Sequence, residues 1–147
     1  MGSHKLEKIV SECLGLKLQP YGSTAIATNV GYLTPNHQYR CWLFKQDQDC
    51  RALVGDMVAT VEMYGRPFIQ KHSDLLAIYE SMRNSNLGVS NMLDYKISAA
   101  CVLLGRQAEA ERYLDSKLKA IEGRSDMAAE SFRKFGVRLR ARPELRH

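Results

Sequence analysis

Residues 24–44 read TAIATNVGYLTPNHQYRCWLF, and how this stretch is paired decides the fold class. Ile26, Thr28, Val30 and Tyr32 alternate with small Ala25, Ala27 and Gly31, the period-two pattern of a strand with one bulky face. Thr34-Pro35-Asn36-His37 is turn chemistry. Tyr39, Cys41 and Leu43 then alternate with Arg40, Trp42 and Phe44, and past Arg40 both sets are apolar, as in a strand covered on both faces. The expectation is an antiparallel hairpin with the Cys41 thiol in the sheet core beside Trp42.

On either side of it the period lengthens to three and four residues. Leu6, Ile9, Val10, Cys13 and Leu14 mark a short amphipathic helix stopped at Gly15. Leu53, Val54, Met57, Val58, Val61 and Tyr64 mark another of about four turns, ended by Gly65 with Pro67 beyond it. Ser73 can cap a helix carrying Leu75, Leu76, Ile78, Tyr79 and Met82, and Ser90 or Asn91 can cap the next. Met92 to Leu104, the turn at Gly105 and Ala108 to Ile121 form an αα-hairpin; one hairpin without a second copy is not a repeat array. A last helix from about Asp126 carries Ala128, Phe132, Phe135 and Leu139, and Pro143 ends it.

The fold class expected is therefore α+β: a small antiparallel sheet packed on helices over 24–88, then a helical part over 89–142. Met1-Gly2-Ser3-His4 reads as a vector remnant, leaving 5–147 as one domain. The 147 residues are 45% hydrophobic and 25% charged, ordinary for a globular protein and not for a disordered or low-complexity one. No apolar run approaches membrane-helix length, and none of the four cysteines stands at the spacing of a zinc or redox pair. A reduced, cytoplasmic protein without membrane, metal or cofactor is the expectation.

The net charge of +5 lies at one end. From residue 133 onward Arg133, Lys134, Arg138, Arg140, Arg142 and Arg146 face only Glu144, while the chain before it is balanced. Arg138, Arg140 and Arg142 are thus candidates for contact with a partner or with nucleic-acid phosphates, against the plainer reading of a solvated helix end. Arg66 and Phe68, beside Gly65 and Pro67, are candidates for a partner-binding lip, since arginines and aromatics anchor interfaces. Two nucleophile arrangements can be drawn, Cys41 with His37 and Cys50 with His72 and Asp74, but no local signature surrounds either cysteine. No carboxylate pair, phosphate-cradling glycine loop or calcium loop stands out.

Asn29-Val30-Gly31-Tyr32-Leu33-Thr34-Pro35, Trp42 in the following segment, Tyr64-Gly65-Arg66-Pro67-Phe68, the Leu104-Gly105-Arg106 turn and the late Phe132 and Phe135 together form a pattern over residues 24 to 140. It resembles a family of small bacterial α+β proteins of unknown function, some thought to neutralise toxins in bacterial competition. That resemblance implies a non-catalytic protein-binding module of immunity type, with a protein partner such as a cognate toxin, and supplies no catalytic residues. The alternatives are a nucleic-acid-binding protein using the basic C-terminal helix and, third, a thiol enzyme using Cys50.

Overall fold

The computed structural model describes residues 2–18, 24–46, 48–88 and 92–143. Among them there is no β-strand: the one bridge pairs Ile26 with Gly88, in isolation. The α+β expectation is therefore corrected to a helical fold. Two compact units form, one from Met1–Ile26 with Asp74–His147, the other from Ala27–Ser73.

Where the hairpin is expected, one side chain bridges the two segments. The Asn29 carboxamide accepts the Arg40 N–H (3.0 Å) and donates to the Arg40 carbonyl (2.8 Å), as a partner strand's peptide group would. Its Oδ1 also takes the Gly31 N–H (2.9 Å), which winds Val30–Leu33 into a 3₁₀ turn rather than a strand. Thr34 closes that turn by donating its hydroxyl to the Gly31 carbonyl (2.7 Å). The segments approach so closely here that a Cβ on Gly31 would lie 2.1 Å from the Gln38 carbonyl oxygen. With no sheet to cover them, Tyr39, Cys41, Leu43 and Phe44 are exposed, so Cys41 does not lie in a core.

In the same unit, α2 (Arg51–Thr60) does not stop at Gly65. It runs through a π turn, Val61–Gly65, into α3 (Arg66–Lys71). Pro67 has no N–H to give and its ring crowds the carbonyl of the preceding turn. The wider turn, in which the Arg66 N–H reaches back five residues to the Val61 carbonyl, lets the chain pass the proline without ending the helix. Thr60, on the face turned inward, donates to the Asp56 carbonyl (2.7 Å) and is buried.

The other unit holds α1 (Gly2–Leu14), α4 (Leu75–Asn84), α5 (Leu93–Leu103), α6 (Gln107–Ala120) and α7 (Met127–Arg140). α5 is its centre: Lys96 through Val102 are all buried, and α1, α4, α6 and α7 each pack on it. The α1 stripe of Leu6, Ile9, Val10 and Cys13 enters the core as its spacing predicts. The expected αα-hairpin is formed by α5 and α6. Gly105 takes φ +71°, Arg106 N–H returns to the Cys101 carbonyl and Gly105 N–H to that of Val102, the Schellman closure that frees the chain to reverse. On α7 it is Ala129, not Ala128, that joins Phe132, Phe135 and Leu139 in the core. Tyr95 of α5 meets both rings, with centroids 5.2 Å from Phe132 and 4.9 Å from Phe135. Asp74 rather than Ser73 caps α4, accepting the Ala77 N–H at 2.9 Å. The expected caps Ser90 and Asn91 lie outside the described residues.

One polar pair sits inside this apolar packing. Lys96, 1% exposed, places its Nζ 3.0 Å from Glu7 Oε1 and donates to the Thr24 carbonyl at 2.9 Å, tying α5 to α1 and to the segment after it.

Candidate functional site

The sequence candidates separate into different environments. Arg66 is exposed and forms a two-pronged ion pair with Glu62, one turn earlier on the same helical run (2.7 and 2.8 Å). The Glu62 carboxylate raises the Arg66 pKa further. Phe68 is half-buried, its ring 4.4 Å from that of His72 and its carbonyl accepting from His72 Nδ1 at 2.8 Å. Two residues apart on a helix, Arg66 and Phe68 do not share a face.

The three arginines of the C-terminal helix are committed to carboxylates and a carbonyl of their own unit. Arg140 donates to Glu111 (2.7 Å) and Asp115 (2.6 Å) of α6. Arg142, just past α7, donates to Glu12 of α1 (2.7 Å), and Arg138 to the Cys13 carbonyl near the α1 C-terminus (3.0 Å). Arg133 caps the end of α6 through the carbonyls of Ile121 (3.0 Å) and Arg124. Arg140 and Arg142 thus hold α7 and the residues after it to α6 and α1 by ion pairs, and Arg133 and Arg138 by bonds to carbonyls.

In the second thiol arrangement each residue has a nearby partner of its own. Cys50, at the N-cap of α2, donates its thiol to the Gln48 carbonyl (3.3 Å), His72 is held by Phe68, and the Asp74 carboxylate caps α4. His37 sits in a turn with φ 46°. Burial raises the thiol pKa of Cys13 and of Cys101. Among the described residues no three His, Cys, Asp or Glu side chains gather as a metal site would require.

α2 presents a different kind of feature. Of its ten residues only Arg51 and Asp56 are charged. Asp56 turns back along the helix, accepting from Arg40 Nη2 (2.8 and 2.6 Å) and from Trp42 Nε1 (2.7 Å). The Trp42 indole, and then the Arg40 guanidinium, hold the Asp56 carboxyl below the usual carboxylate range. Leu53, Met57, Thr60 and Tyr64 face inward, half-buried or buried. Val54, Val58 and Val61, four and three residues apart and hence on one face, remain 40%, 51% and 41% exposed. Ala52, Gly55 and Ala59 are also exposed, so α2 offers solvent an almost uncharged surface. Met63, Ile69, Leu43 and Phe44 add further exposed apolar area in this unit. The sequence signals these residues as a helical stripe without stating which of them meet solvent.

In the larger unit polar residues of α4, α5 and α6 form a linked group that the sequence does not single out. Tyr79 OH donates to Glu109 (2.6 Å) and Tyr113 OH to Asp94 (2.6 Å). Burial, then these carboxylates, push both phenols above their ordinary pKa. Arg106 and Arg83 lie over Tyr79 (5.2 and 6.0 Å), Arg83 and Lys117 over Tyr113 (both 5.4 Å). The legible signal was that Glu109, Tyr113 and Ser116 recur at helical spacing on α6; the contribution of α4 was not legible.

Comparison with protein-family models, with curated proteins and with solved structures finds no match to this chain. No helix among the described residues is long and apolar enough to cross a membrane.

Proposed function

We propose that the chain is a non-catalytic protein-binding module that docks through the α2 face of the Ala27–Ser73 unit. The observation that carries this reading is the row Val54, Val58 and Val61, about half exposed on a helix with almost no charge. A helix that is apolar around most of its circumference is ordinarily buried, and aligned apolar residues left in water mark interaction surfaces more than scattered ones do. Burying the exposed remainder of three valines against a partner contributes on the order of 2–4 kcal/mol, enough to anchor an interface whose rim is polar.

The immunity-type form of this function, neutralising a bacterial toxin by direct binding, draws on the sequence resemblance alone, and that resemblance implied a sheet, of which the described residues form none. The conclusion is therefore protein binding, with a toxin as one partner that the test would name. Nucleic-acid binding gains nothing from the geometry of α7, whose arginines are engaged within the unit.

The test is capture from nuclease-treated source lysate, washed at high salt, with the wild-type chain and Val58→Glu side by side. Val58 is exposed, so the variant folds. A stoichiometric protein held by the wild type and lost by the variant is the expected result. Capture that is equal for both refutes the α2 face; capture of nothing but nucleic acid refutes the reading altogether.

A further inference from the structure

A cavity of about 300 Å³ opens between α4 and α6, lined by Arg83, Glu109, Arg112, Tyr113 and Ser116. Its hydrogen-bonding capacity is lopsided. Glu109, the carboxylate of the lining, already accepts from Tyr79 OH (2.6 Å) and lies beside Arg83 (3.6 Å) and Arg106 (3.5 Å). Tyr113 OH is turned to Asp94. On the donor side, among the described residues Arg112 makes no hydrogen bond or ion pair, and neither does the Ser116 hydroxyl, one turn along α6. Arg83 meets Glu109 at only 3.6 Å and keeps the rest of its five N–H donors for other partners. It is also held in place, its guanidinium lying over Tyr79 at 6.0 Å and over Tyr113 at 5.4 Å.

Two guanidinium groups and a hydroxyl converge on one cavity; Arg112 and Ser116 are unpartnered among the described residues, while Arg83 is ion-paired to Glu109 at 3.6 Å and held between two rings. Planar guanidinium forks match the oxygens of a phosphoryl group. We propose that this cavity binds the phosphoryl group of a small phosphate monoester, with Arg83 and Arg112 on its oxygens and Ser116 donating a further hydrogen bond. A volume of this size exceeds what the phosphoryl group alone fills. The remainder lies against the Tyr113 ring and suits a compact organic substituent. Another cleft of about the same volume, between α5, α6 and α7, has its cations paired: Lys117 with Asp94 (2.9 Å) and Arg124 with Asp126 (2.8 Å).

The experiment titrates phenyl phosphate and, separately, inorganic phosphate into the ¹⁵N-labelled full chain at constant ionic strength, followed by amide and arginine side-chain NMR shifts. Saturable shifts centred on Arg83, Arg112 and Ser116 are expected, with phenyl phosphate the tighter ligand. Arg112→Gln, which removes a side chain without internal partners, weakens binding by roughly tenfold or more, the loss of a charge-assisted hydrogen bond. Lys119→Gln, a cation of the same helix outside this cavity, leaves it unchanged. No saturable shift overturns the site. An equal effect of the two substitutions overturns it in favour of diffuse charge attraction, and inorganic phosphate binding as tightly as phenyl phosphate overturns the monoester assignment.

Discussion

Replacing Lys96 by methionine tests the packing of the larger unit most directly. The ammonium group is 1% exposed, 3.0 Å from Glu7 and 2.9 Å from the Thr24 carbonyl. An exposed pair of this kind contributes about 0–1 kcal/mol. Here methionine fills most of the volume of the lysine stem but leaves the Glu7 carboxylate, itself only 10% exposed, without the ammonium group. Removing one partner of a buried pair costs about 3–5 kcal/mol, chiefly the burial of the charge left behind. At roughly 2–4 °C per kcal/mol for a chain of this length, Tm falls by about 6–20 °C. Urea unfolding followed by far-UV circular dichroism, with the thermal melt beside it, measures both. The double variant Lys96→Met/Glu7→Leu removes the Glu7 charge as well, and is expected to recover most of the loss of the single variant. If the single variant loses less than about 1 kcal/mol, the pair is not buried in the sense argued. If the double variant loses the sum of two full penalties, the two groups do not act together.

Gly31→Ala is expected to destabilise the Ala27–Ser73 unit by about 3 kcal/mol or more, because the new methyl meets backbone atoms, the Gln38 oxygen at 2.1 Å and the Arg40 nitrogen at 2.7 Å. Trp42 fluorescence against urea reports that unit, and a shift under about 1 kcal/mol would contradict the close approach. Asp126, held by Arg124 and by the Ala129 N–H at the start of α7, has its pKa lowered from 3.8 to about 2. Its folded pKa lies below the unfolded one, so its stabilisation is full above about pH 4 and is lost as pH falls through about 2. A carboxyl NMR titration with a midpoint near 4 would refute the cap, and Asp126→Ala should abolish this part of the acid sensitivity.

Much of the larger unit is legible in the amino-acid order. The α1 stripe, the reversal at Gly105 and the aromatic stripe of α7 are local records: periodicity states which side of a helix is apolar, and a glycine at φ +71° states where the chain turns. Such records can mislead by a residue, as with Ala128 and Ala129, since adjacent alanines carry nearly the same signal. They mislead further where a side chain competes with the backbone. Residues 24–44 alternate as strands do, but the Asn29 carboxamide occupies both peptide groups of Arg40 and winds its own neighbours into a turn. Pro67 likewise reads as a stop, and the π turn before it lets the helix continue.

Charge and exposure lie further still from what order alone can state. Arg138, Arg140 and Arg142 look like a free basic tail because the groups that engage them, Glu111, Asp115, Glu12 and the Cys13 carbonyl, stand 25 to 130 positions away. Lys96 sits in the most buried stretch of the chain because α1 brings Glu7 to it. The candidate surface shows the same division. Its valines are plain in the sequence as an apolar stripe, but whether a stripe is core or docking face depends on what packs over it, and in this chain the inward neighbours Leu53, Met57 and Tyr64 take the cover while Val54, Val58 and Val61 do not. Local order sets which residues share a face; the long-range packing sets which faces meet water.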